Sequence, residues 1–437
     1  MREVRYEARL QAAARSLTVA LPVLLVLGRG AADTALSLVA ILFLVRSAAT
    51  RDWSWLARTW VRVAVALWVW MLLISGFAFD PMRSYGAALS WVRFLLFAAA
   101  AEHWILDDAW LKRLAWVACA TLAFVASDVI WQFMTGHDVL GYASQGIRLT
   151  GPFSRPEAGV FMTRLLFPAL LSVWAWFSAG VRRPVHRRLV PMVLGLVFFT
   201  AIFLTGERAA LILSLFGLLI VIVLWQGVRW AVFASAGITV VMVALTAVNP
   251  RIVQRQLDST YKTLRDFSQT PYGQLWRSGI KLGTARPFFG VGVQNFRVAC
   301  SDPKIGLPPT VPIRCSLHPH NMYIQWFADT GIPGVMGFMT LVVVWLRRFW
   351  KCGAAASWSG WLLGPAIGVF LYLWPIATTG GFFSNWNAVT FWLVLGWTLS
   401  AARLSERNSP LFLAARAVNA VGSDLRRRTA GGERIAP

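Results

Sequence analysis

Apolar and polar positions follow one another along this chain in long blocks rather than residue by residue. Many apolar blocks reach about 18 residues, the length at which a helix crosses a bilayer. The pattern predicts an all-α polytopic membrane protein with about twelve transmembrane helices. They are expected near residues 16–31, 33–47, 59–79, 84–106, 110–135, 158–180, 189–206, 208–226, 229–248, 321–346, 358–379 and 385–402.

One long polar interruption at 249–320 divides these blocks. About nine spans precede it in 1–248 and about three follow in 321–402, with a basic tail at 403–437. Within the interruption, the stretch RIVQRQLDSTYKTLRDF has helical spacing with one apolar face. We therefore expect one large, partly helical loop outside the membrane.

The composition agrees with a membrane protein, since 57% of the 437 residues are hydrophobic and only 14% are charged. Lys and Arg number 42 against 19 Asp and Glu, a formal net charge of +23. The basic residues collect in alternate loops, as the positive-inside rule expects of cytoplasmic loops. Both termini are therefore predicted to be cytoplasmic, and membrane lipids rather than nucleic acid are the expected partners. The residues concerned are Arg46, Arg51, Arg58, Lys112, Arg113, the run 182–188, Arg229, Arg347, Arg348, Lys351 and Arg426.

The opposite face then receives the loop 136–157, the turn Gly206–Arg208 and the long loop 249–320. This long loop carries ten Lys and Arg against three Asp, which suggests an anionic partner. Cys300 and Cys315 both lie in it. An oxidising compartment would permit a disulfide there, although the sequence does not give their separation.

Three charged residues, Arg93, Asp128 and Arg164, fall inside predicted spans, where an unpaired charge costs several kcal/mol. They form either a structural Arg–Asp pair or lipid-phosphate contacts, or else they line a polar cavity that opens outward. Both interpretations are compatible with the sequence.

Two further segments place arginine on the outer face. In FLTGERAALIL, two apolar runs meet with almost no loop, so Arg208 stands at a helix N-terminus near the membrane surface. Such a position favours an anion such as phosphate, and it equally suits an interfacial headgroup contact. Arg148 and Arg155 lie in the Gly- and Pro-rich loop 146–159.

His318 and His320 are two of only five histidines, and they end the long loop just before an apolar run. Acidic residues are scarce on this face, and neither D-x-D nor H-E-x-x-H occurs. We therefore expect no metal site and no cofactor. If a pyrophosphate is bound here, arginine and lysine must neutralise it.

The stretch from His320 resembles the signature of the O-antigen ligase family. Asn321 follows His320, then nine residues lead to Gly331, and two more lead to Gly334. The segment LWRSGIKLGTARPFFGVGVQNF at 275–296 also resembles the family's Trp…Pro…Gly-x-Gly segment before the histidine.

Two arginine motifs extend the resemblance over roughly 145–345. TGERAAL resembles the family's arginine turn and gives that role to Arg208; RLTGPFSRPEAGVF resembles its Arg-x-x-Gly-x-Phe loop and gives that role to Arg148. This chain departs in having Tyr272 where relatives carry Arg four residues before the Trp, and Glu157 where relatives often show Asn. The candidates to replace the missing arginine are Arg265, Arg277 and Lys281.

The resemblance implies a metal-independent, inverting glycosyltransferase of the lipid-carrier-dependent membrane type. The donor would be a glycan on undecaprenyl pyrophosphate and the acceptor a sugar hydroxyl of lipid A–core. The site would face the periplasm from the bacterial inner membrane.

Roles for the residues follow from this chemistry. His320 would be the general base, since an imidazole titrates near neutral pH. Arg208, with Arg148 and basic residues of the long loop, would stabilise the leaving pyrophosphate. His318 would shape the site, and Asn321 would either orient the histidine or cap the following helix.

Other functions remain open from the sequence. An O-antigen polymerase or a protein O-oligosaccharyltransferase could share the same donor and the same His and Arg residues. A lipid-linked glycan flippase or transporter is an alternative of another class. It is disfavoured because the charges cluster on one face and no inverted repeat is evident.

Overall fold

The structure is a computed structural model that describes residues 2–145, 148–180, 183–226, 228–248, 250–302, 315, 318–355 and 357–407. Within these ranges the chain is helical and contains no strand, apart from two isolated bridges at His137–Ala143 and Gln145–Arg148. Most of the predicted basic tail, from residue 408 onward, lies outside the described residues, as does 303–314 of the long loop.

Fifteen α-helices are described within these ranges. They are α1 (Arg2–Leu27), α2 (Arg29–Thr50), α3 (Thr59–Ser75), α4 (Pro81–Ala100), α5 (Asp108–Thr135), α6 (Ala158–Phe177), α7 (Pro184–Leu204), α8 (Arg208–Val221), α9 (Val228–Val248), α10 (Pro250–Arg265), α11 (Pro271–Ala285), α12 (Phe296–Cys300), α13 (Met322–Ala355), α14 (Gly360–Tyr372) and α15 (Asn385–Arg407). Short 3₁₀ turns lie at Ser54–Ala57, Ser178–Gly180 and Phe267–Gln269, and π-helical turns lie at Ala101–Ile105 and Ile222–Gln226.

Every predicted span corresponds to one of these helices, so the all-α polytopic membrane fold is confirmed. Seven helices in the described part are long and apolar enough to cross a membrane, namely Arg5–Leu27, Arg29–Thr50, Pro81–Ile105, Asp108–Thr135, Ala158–Phe177, Met322–Ala355 and Asn385–Arg407. Five shorter apolar helices accompany them, at Thr59–Ser75, Leu189–Leu204, Arg208–Leu224, Ser235–Val248 and Gly360–Tyr372.

One predicted span ends much earlier than expected. The apolar pattern predicts a span over 358–379, but α14 ends at Tyr372. Residues 373–384 instead form an irregular connector to α15. Pro375 and the Thr-Thr-Gly-Gly run at 378–381 explain the difference, because proline and glycine both disfavour helix.

Close helix contacts in the bundle depend on small residues, as expected where lipid provides little hydrophobic drive for association. Gly364 and Gly368 of α14 form a small-xxx-small pair against α6. A Cβ on Gly364 would overlap the carbonyl oxygen of Phe167, and one on Gly368 would meet the ring of Pro168. Helix α15 is buried along most of its length, with Trp392 and Trp397 almost fully enclosed.

The three charged residues inside the spans have different partners and do not pair with one another. Arg93 of α4 forms an ion pair with Asp33 of α2, at 2.9 Å between Nη2 and Oδ1. Asp128 accepts a hydrogen bond from the backbone N–H of Val139 at 2.7 Å. A structural Arg–Asp pair therefore exists, but its acid is Asp33 rather than Asp128. Arg164 has a different environment, described below.

The long loop contains three helices, α10, α11 and α12, so its predicted partial helicity is observed. Helix α11 packs against α13 through two glycines. A Cβ on Gly279 would overlap Ile324 and crowd Pro319, and one on Gly283 would overlap the ring of Phe327. This close approach lays the long loop over the segment that carries the two histidines.

A disulfide joins Cys300 at the end of α12 to Cys315, with 5.4 Å between their Cα atoms. The two cysteines, whose separation the sequence does not give, are therefore close enough to bond. Cys119 and Cys352 are free thiols.

Candidate functional site

His320 stands immediately before α13 in a left-handed backbone conformation, with φ of 56°. Such a conformation costs a non-glycine residue about 1–3 kcal/mol and persists only where the surroundings hold it. Here the connector 373–384 holds it from two directions. The N–H of Thr379 donates to the carbonyl oxygen of His320 at 2.9 Å, and Nδ1 of His320 lies 3.2 Å from the carbonyl oxygen of Thr379.

The contact with Thr379 determines which ring nitrogen of His320 can act as a base. A carbonyl oxygen only accepts hydrogen bonds, so Nδ1 must carry the proton in this contact. In the neutral ring Nε2 then has a free lone pair. Burial lowers the pKa of His320 below its ordinary value of 6.5, against an opposing effect of the Thr379 contact. The ring is therefore neutral at neutral pH and its Nε2 can accept a proton.

His318 lies beside His320, with 4.1 Å between the ring centroids. Burial, together with the neighbouring His320, lowers the pKa of His318 to about 3. The residue lies against Gly381 of the connector, where a Cβ would crowd its ring. A neutral, enclosed imidazole of this kind fits the predicted shaping role better than proton transfer.

Tyr272 of α11 also contacts His320. Its ring meets the imidazole nearly perpendicularly, at 82°, with 5.5 Å between centroids. Tyr272 occupies the position where the resemblance expects arginine. This position therefore lies against His320, but in this chain it carries the aromatic ring of Tyr272 instead of a cation.

Asn321 caps the helix that follows it, one of the two roles predicted for it. Its Oδ1 accepts hydrogen bonds from the N–H groups of Tyr323 and Ile324 at 3.0 and 3.1 Å, which caps the first turn of α13. Its Nδ2 donates to the carbonyl oxygen of Pro375 at 2.7 Å. The same side chain thus starts the helix and ties it to the connector that holds His320.

The two signature glycines shape α13 rather than contact the histidines. Gly331 has φ of 71° and breaks the regular helix there. A Cβ at Gly331 would overlap the carbonyl oxygen of Phe288, and one at Gly334 would overlap Thr330. At this kink the N–H of Ile332 donates to the carbonyl oxygen of Pro287 at 2.7 Å. The glycines therefore allow the loop that follows α11 to dock against α13.

The turn between α7 and α8 presents Arg208 at the first position of α8. Its Nη1 donates to Oγ1 of Thr263 in α10 at 2.7 Å, which links the turn to the long loop. Arg208 therefore stands at a helix N-terminus, as predicted, between the membrane bundle and α10.

Glu207, next to Arg208, has a structural role that the sequence does not predict. Its two carboxyl oxygens accept hydrogen bonds from the N–H groups of Gly159 and Val160 at 2.8 and 3.2 Å, and so cap α6 from the neighbouring turn. Burial raises the pKa of Glu207 to about 8, opposed by these bonds and by the charge of Arg148. Arg148 is thus electrostatically coupled to this turn.

Arg148 itself belongs to an irregular loop that is fastened to the same turn. The N–H of Leu149 donates to the carbonyl oxygen of Thr205 at 3.3 Å. Nε of Arg148 is buried without a hydrogen-bond partner among the described residues. The two arginines that the resemblance singles out therefore lie on connected segments, with Glu207 between them.

Arg164 of α6 lies between the connector that contacts His320 and the start of α8. It donates to Oδ1 of Asn387 at 2.7 Å and lies over the ring of Tyr372, 4.7 Å from the centroid. It lines a narrow cleft together with Ala209 and Thr379. Because Thr379 holds His320 and Ala209 follows Arg208, this cleft extends from the histidine's anchor to the start of α8.

The remaining basic residues predicted for substrate binding are Arg155, Arg265, Arg277 and Lys281. All four are exposed at the surface. Arg265 lies 4.0 Å from the carboxylate of its neighbour Asp266, and Arg277 donates to the carbonyl oxygen of Ser268 at 2.6 Å. Their contribution to binding stays a prediction.

The sequence reasoning missed the connector 373–384. It supplies the backbone groups that hold His320 and Asn321, and its Phe382 N–H donates to Oε1 of Gln325 at 2.9 Å. A signal was available, since Pro375 and the Thr-Thr-Gly-Gly run interrupt an otherwise apolar block. In the described residues no group of three or more His, Cys, Asp or Glu is placed to hold a metal ion.

Comparison with known proteins bears on the same part of the chain. Residues 192–339 match a family model described as O-antigen ligase, so the resemblance stated from the sequence is confirmed. This range includes Arg208 and both histidines, whereas Arg148 and Arg155 precede it. Curated proteins gave no match.

Among solved structures, one matching chain comes from work described as "Structural coordination of polymerization and crosslinking by a peptidoglycan synthase complex". It is 19% identical, with a TM-score of 0.46. The match covers 82% of this chain and 98% of that chain.

Proposed function

We propose that this chain, which carries the domain of the O-antigen ligase family at residues 192–339, moves an O-antigen glycan from undecaprenyl pyrophosphate to a sugar hydroxyl of lipid A–core. The family identifies a glycan-transferring, multi-pass membrane enzyme of polysaccharide assembly. The donor, the acceptor, the bacterial inner membrane and a site facing the periplasm are parts of the proposal. The proposal also includes the division of the chain into 1–248, 249–320, 321–402 and 403–437, and it places both termini in the cytoplasm.

The observation that carries the proposal is the hydrogen bond between Nδ1 of His320 and the carbonyl oxygen of Thr379. It leaves Nε2 as the basic nitrogen of a ring that burial keeps neutral. In the proposed reaction, the acceptor hydroxyl gives its proton to Nε2 as its oxygen attacks the anomeric carbon. A general base placed in this way accelerates a reaction by about 10²–10⁴.

The leaving group requires positive charge as the bond between the anomeric carbon and the pyrophosphate oxygen breaks. The electron pair of that bond departs with the pyrophosphate, whose charge is stabilised by Arg208 at the N-terminus of α8 and by Arg148. Arg164 in the cleft adds a third cation between these segments and Thr379. Direct displacement by the acceptor oxygen inverts the anomeric carbon, and no step requires a metal ion.

The base assignment is tested with purified protein, lipid-linked donor and lipid A–core acceptor. His320→Ala should lower turnover by about 10²–10⁴. His186→Ala, which removes an exposed histidine of α7, should leave turnover unchanged. Near-normal turnover by folded His320→Ala would exclude the general-base role.

The leaving-group assignment is tested at Arg208. Arg208→Ala should reduce kcat/KM for the donor by about 10²–10³, the usual effect of losing one charge-stabilising donor. Arg208→Lys should restore little, because lysine does not reproduce the bidentate geometry of guanidinium with phosphate. Full activity should persist in EDTA, and a strict requirement for Mg²⁺ would refute the metal-free reaction.

The product distinguishes the alternatives. Capped lipid A–core supports the ligase, longer carrier-linked chains indicate a polymerase, and a glycoprotein indicates an oligosaccharyltransferase. Movement of lipid-linked glycan across vesicles without a new glycosidic bond would instead establish a flippase.

A further inference from the structure

We propose that an anionic glycerophospholipid binds between α8, α13 and α14, at the end of the bundle remote from His320. Its acyl chains lie in an apolar groove and its phosphate lies against Arg347 and Lys351. This inference concerns a surface that the proposed transfer reaction does not use.

The groove provides the apolar half of the site. It has a volume of about 680 Å³, within the range of roughly 300–1,000 Å³ found for small-molecule sites. Three helices contribute its walls, so it is a recess in the bundle rather than a flat lipid-facing surface. Its lining includes Phe216, Ile220, Leu346, Leu363, Ile367 and Phe370.

Basic residues lie at one end of this groove. Arg347 and Lys351 line it together with the apolar residues, and both are exposed. The same two residues also line an adjoining pocket with Arg58. One pair of cations therefore stands where an apolar recess meets a pocket that contains further charged residues, an arrangement that suits a phospholipid with its headgroup at the charged end.

The nearby acids are already engaged with other cations. Glu102 accepts from Nη1 of Arg348 at 2.7 Å, and Glu406 accepts from Nε of Arg348 at 2.9 Å. No carboxylate in the described part of the chain lies within ion-pair distance of Arg347 or Lys351. Their positive charge thus remains available to a bound anion.

The position fits a membrane interface. Arg347 lies 25 residues beyond Met322 on α13, near the far end of a 34-residue segment that is long and apolar enough to cross a membrane. Trp350 is 60% exposed at this end and stacks edge-on with Trp358 at 5.5 Å. Tryptophan is typical of the headgroup level, where basic pockets between helices bind anionic lipid headgroups.

The proposal is tested by reconstituting the full chain in vesicles of equal parts phosphatidylglycerol and phosphatidylcholine. Native mass spectrometry after mild detergent extraction then identifies the retained lipid. Wild type should retain phosphatidylglycerol in preference to phosphatidylcholine. In the double variant Arg347→Gln with Lys351→Gln, this preference should fall by roughly thirtyfold, the combined effect of two basic side chains near an anionic headgroup.

Two further variants separate the effect of charge in the groove from the effects of charge elsewhere and of the groove's volume. Lys112→Gln with Arg113→Gln removes two basic residues at the same end of the bundle but outside the groove, and it should retain the preference. Ala366→Trp fills the groove without changing charge and should release the lipid. Equal retention of both lipids by wild type, or an unchanged preference in the Arg347 and Lys351 variant, would overturn the proposal. Preferential retention of undecaprenyl phosphate from vesicles that also contain it would overturn it as well.

Discussion

The ring of Tyr272 stands edge-on against the ring of His320, with 5.5 Å between their centroids. The two residues belong to different parts of the chain, since Tyr272 lies in α11 of the long loop and His320 precedes α13. The contact means that the loop helps to orient the histidine, in addition to any contribution that it makes to donor binding.

The Tyr272 contact predicts a moderate loss of turnover when the ring is removed. An aromatic pair of this geometry contributes about 0.5–1.5 kcal/mol, equivalent to a two- to tenfold change in rate. Tyr272→Ala should therefore lower kcat by that factor with little change in acceptor KM, whereas Tyr272→Phe should remain close to wild type. Tyr261→Ala, which removes an exposed tyrosine of α10, serves as the control. Equal damage by Phe and Ala would show that the hydroxyl group is required instead.

The pH profile follows from the buried position of His320. Because its pKa is lowered from 6.5, the ring stays neutral and basic as the pH falls from 7 through 6.5. We expect kcat/KM to decline only at lower pH, where the imidazole becomes protonated. The same shift should make the free energy of unfolding decrease as the pH falls below 6.5, because the unfolded chain then binds the proton more readily. An acid limb at or above 6.5 would contradict this assignment.

Glu207 predicts a second pH effect, on the basic side. Its pKa is raised from 4.5 to about 8, so the carboxyl is neutral at pH 7 and becomes negative above about pH 8. A negative charge beside Arg208 weakens the attraction for pyrophosphate, so donor KM should rise as the pH passes 8. Glu207→Gln should abolish that rise in donor KM. The control is Glu157→Gln, which removes a carboxylate that pairs with Arg29 and should leave the rise in place. The contribution of Glu207 to the free energy of unfolding is present below pH 4.5 and declines as the pH rises toward 8.

The kink at Gly331 predicts a large effect of a single methyl group. Gly331→Ala should destabilise the protein by about 1–3 kcal/mol through its positive φ alone. Overlap with Phe288 adds to this and displaces the docked loop. Thermal unfolding in detergent measures the effect. Gly86→Ala, where a Cβ meets nothing within 4 Å, should leave the melting temperature unchanged or raise it slightly, because alanine favours a helix interior over glycine.

The disulfide between Cys300 and Cys315 predicts a thiol count. Unfolded, unreduced protein should show two reactive thiols, Cys119 and Cys352, and reduced protein should show all four cysteines. Reduction should lower stability by about 3 kcal/mol, the value expected for a closed loop of 15 residues. Four reactive thiols before reduction would contradict the bond.

Much of the fold could be predicted from the sequence because the membrane imposes a strong local pattern. Each apolar block had to become a helix, since a backbone in lipid must satisfy its own hydrogen bonds. The histidine, its asparagine and the two glycines also lie within one short stretch. Local sequence was therefore sufficient to predict the start of α13 and to single out His320 as a candidate, whose role stays a prediction.

The pairing of distant residues could not be predicted in the same way. Asp33 and Asp128 are equally plausible partners for Arg93 by charge, and only the packing of α2 against α4 selects Asp33. The contribution of Thr379 is made by its backbone, which every residue possesses, so its side chain gives no sign of it. The position of Tyr272 likewise depends on how closely α11 approaches α13.

The anchoring of His320 by Thr379 has a consequence for biosynthesis. Thr379 follows His320 by 59 residues, whereas Trp70, which donates to the carbonyl oxygen of Thr330, precedes that residue by 260. Because a chain is synthesised from its N-terminus, His320 emerges before the connector that fixes its ring exists. The nascent protein therefore lacks the contact that fixes the ring of His320 until the connector between α14 and α15 has been synthesised.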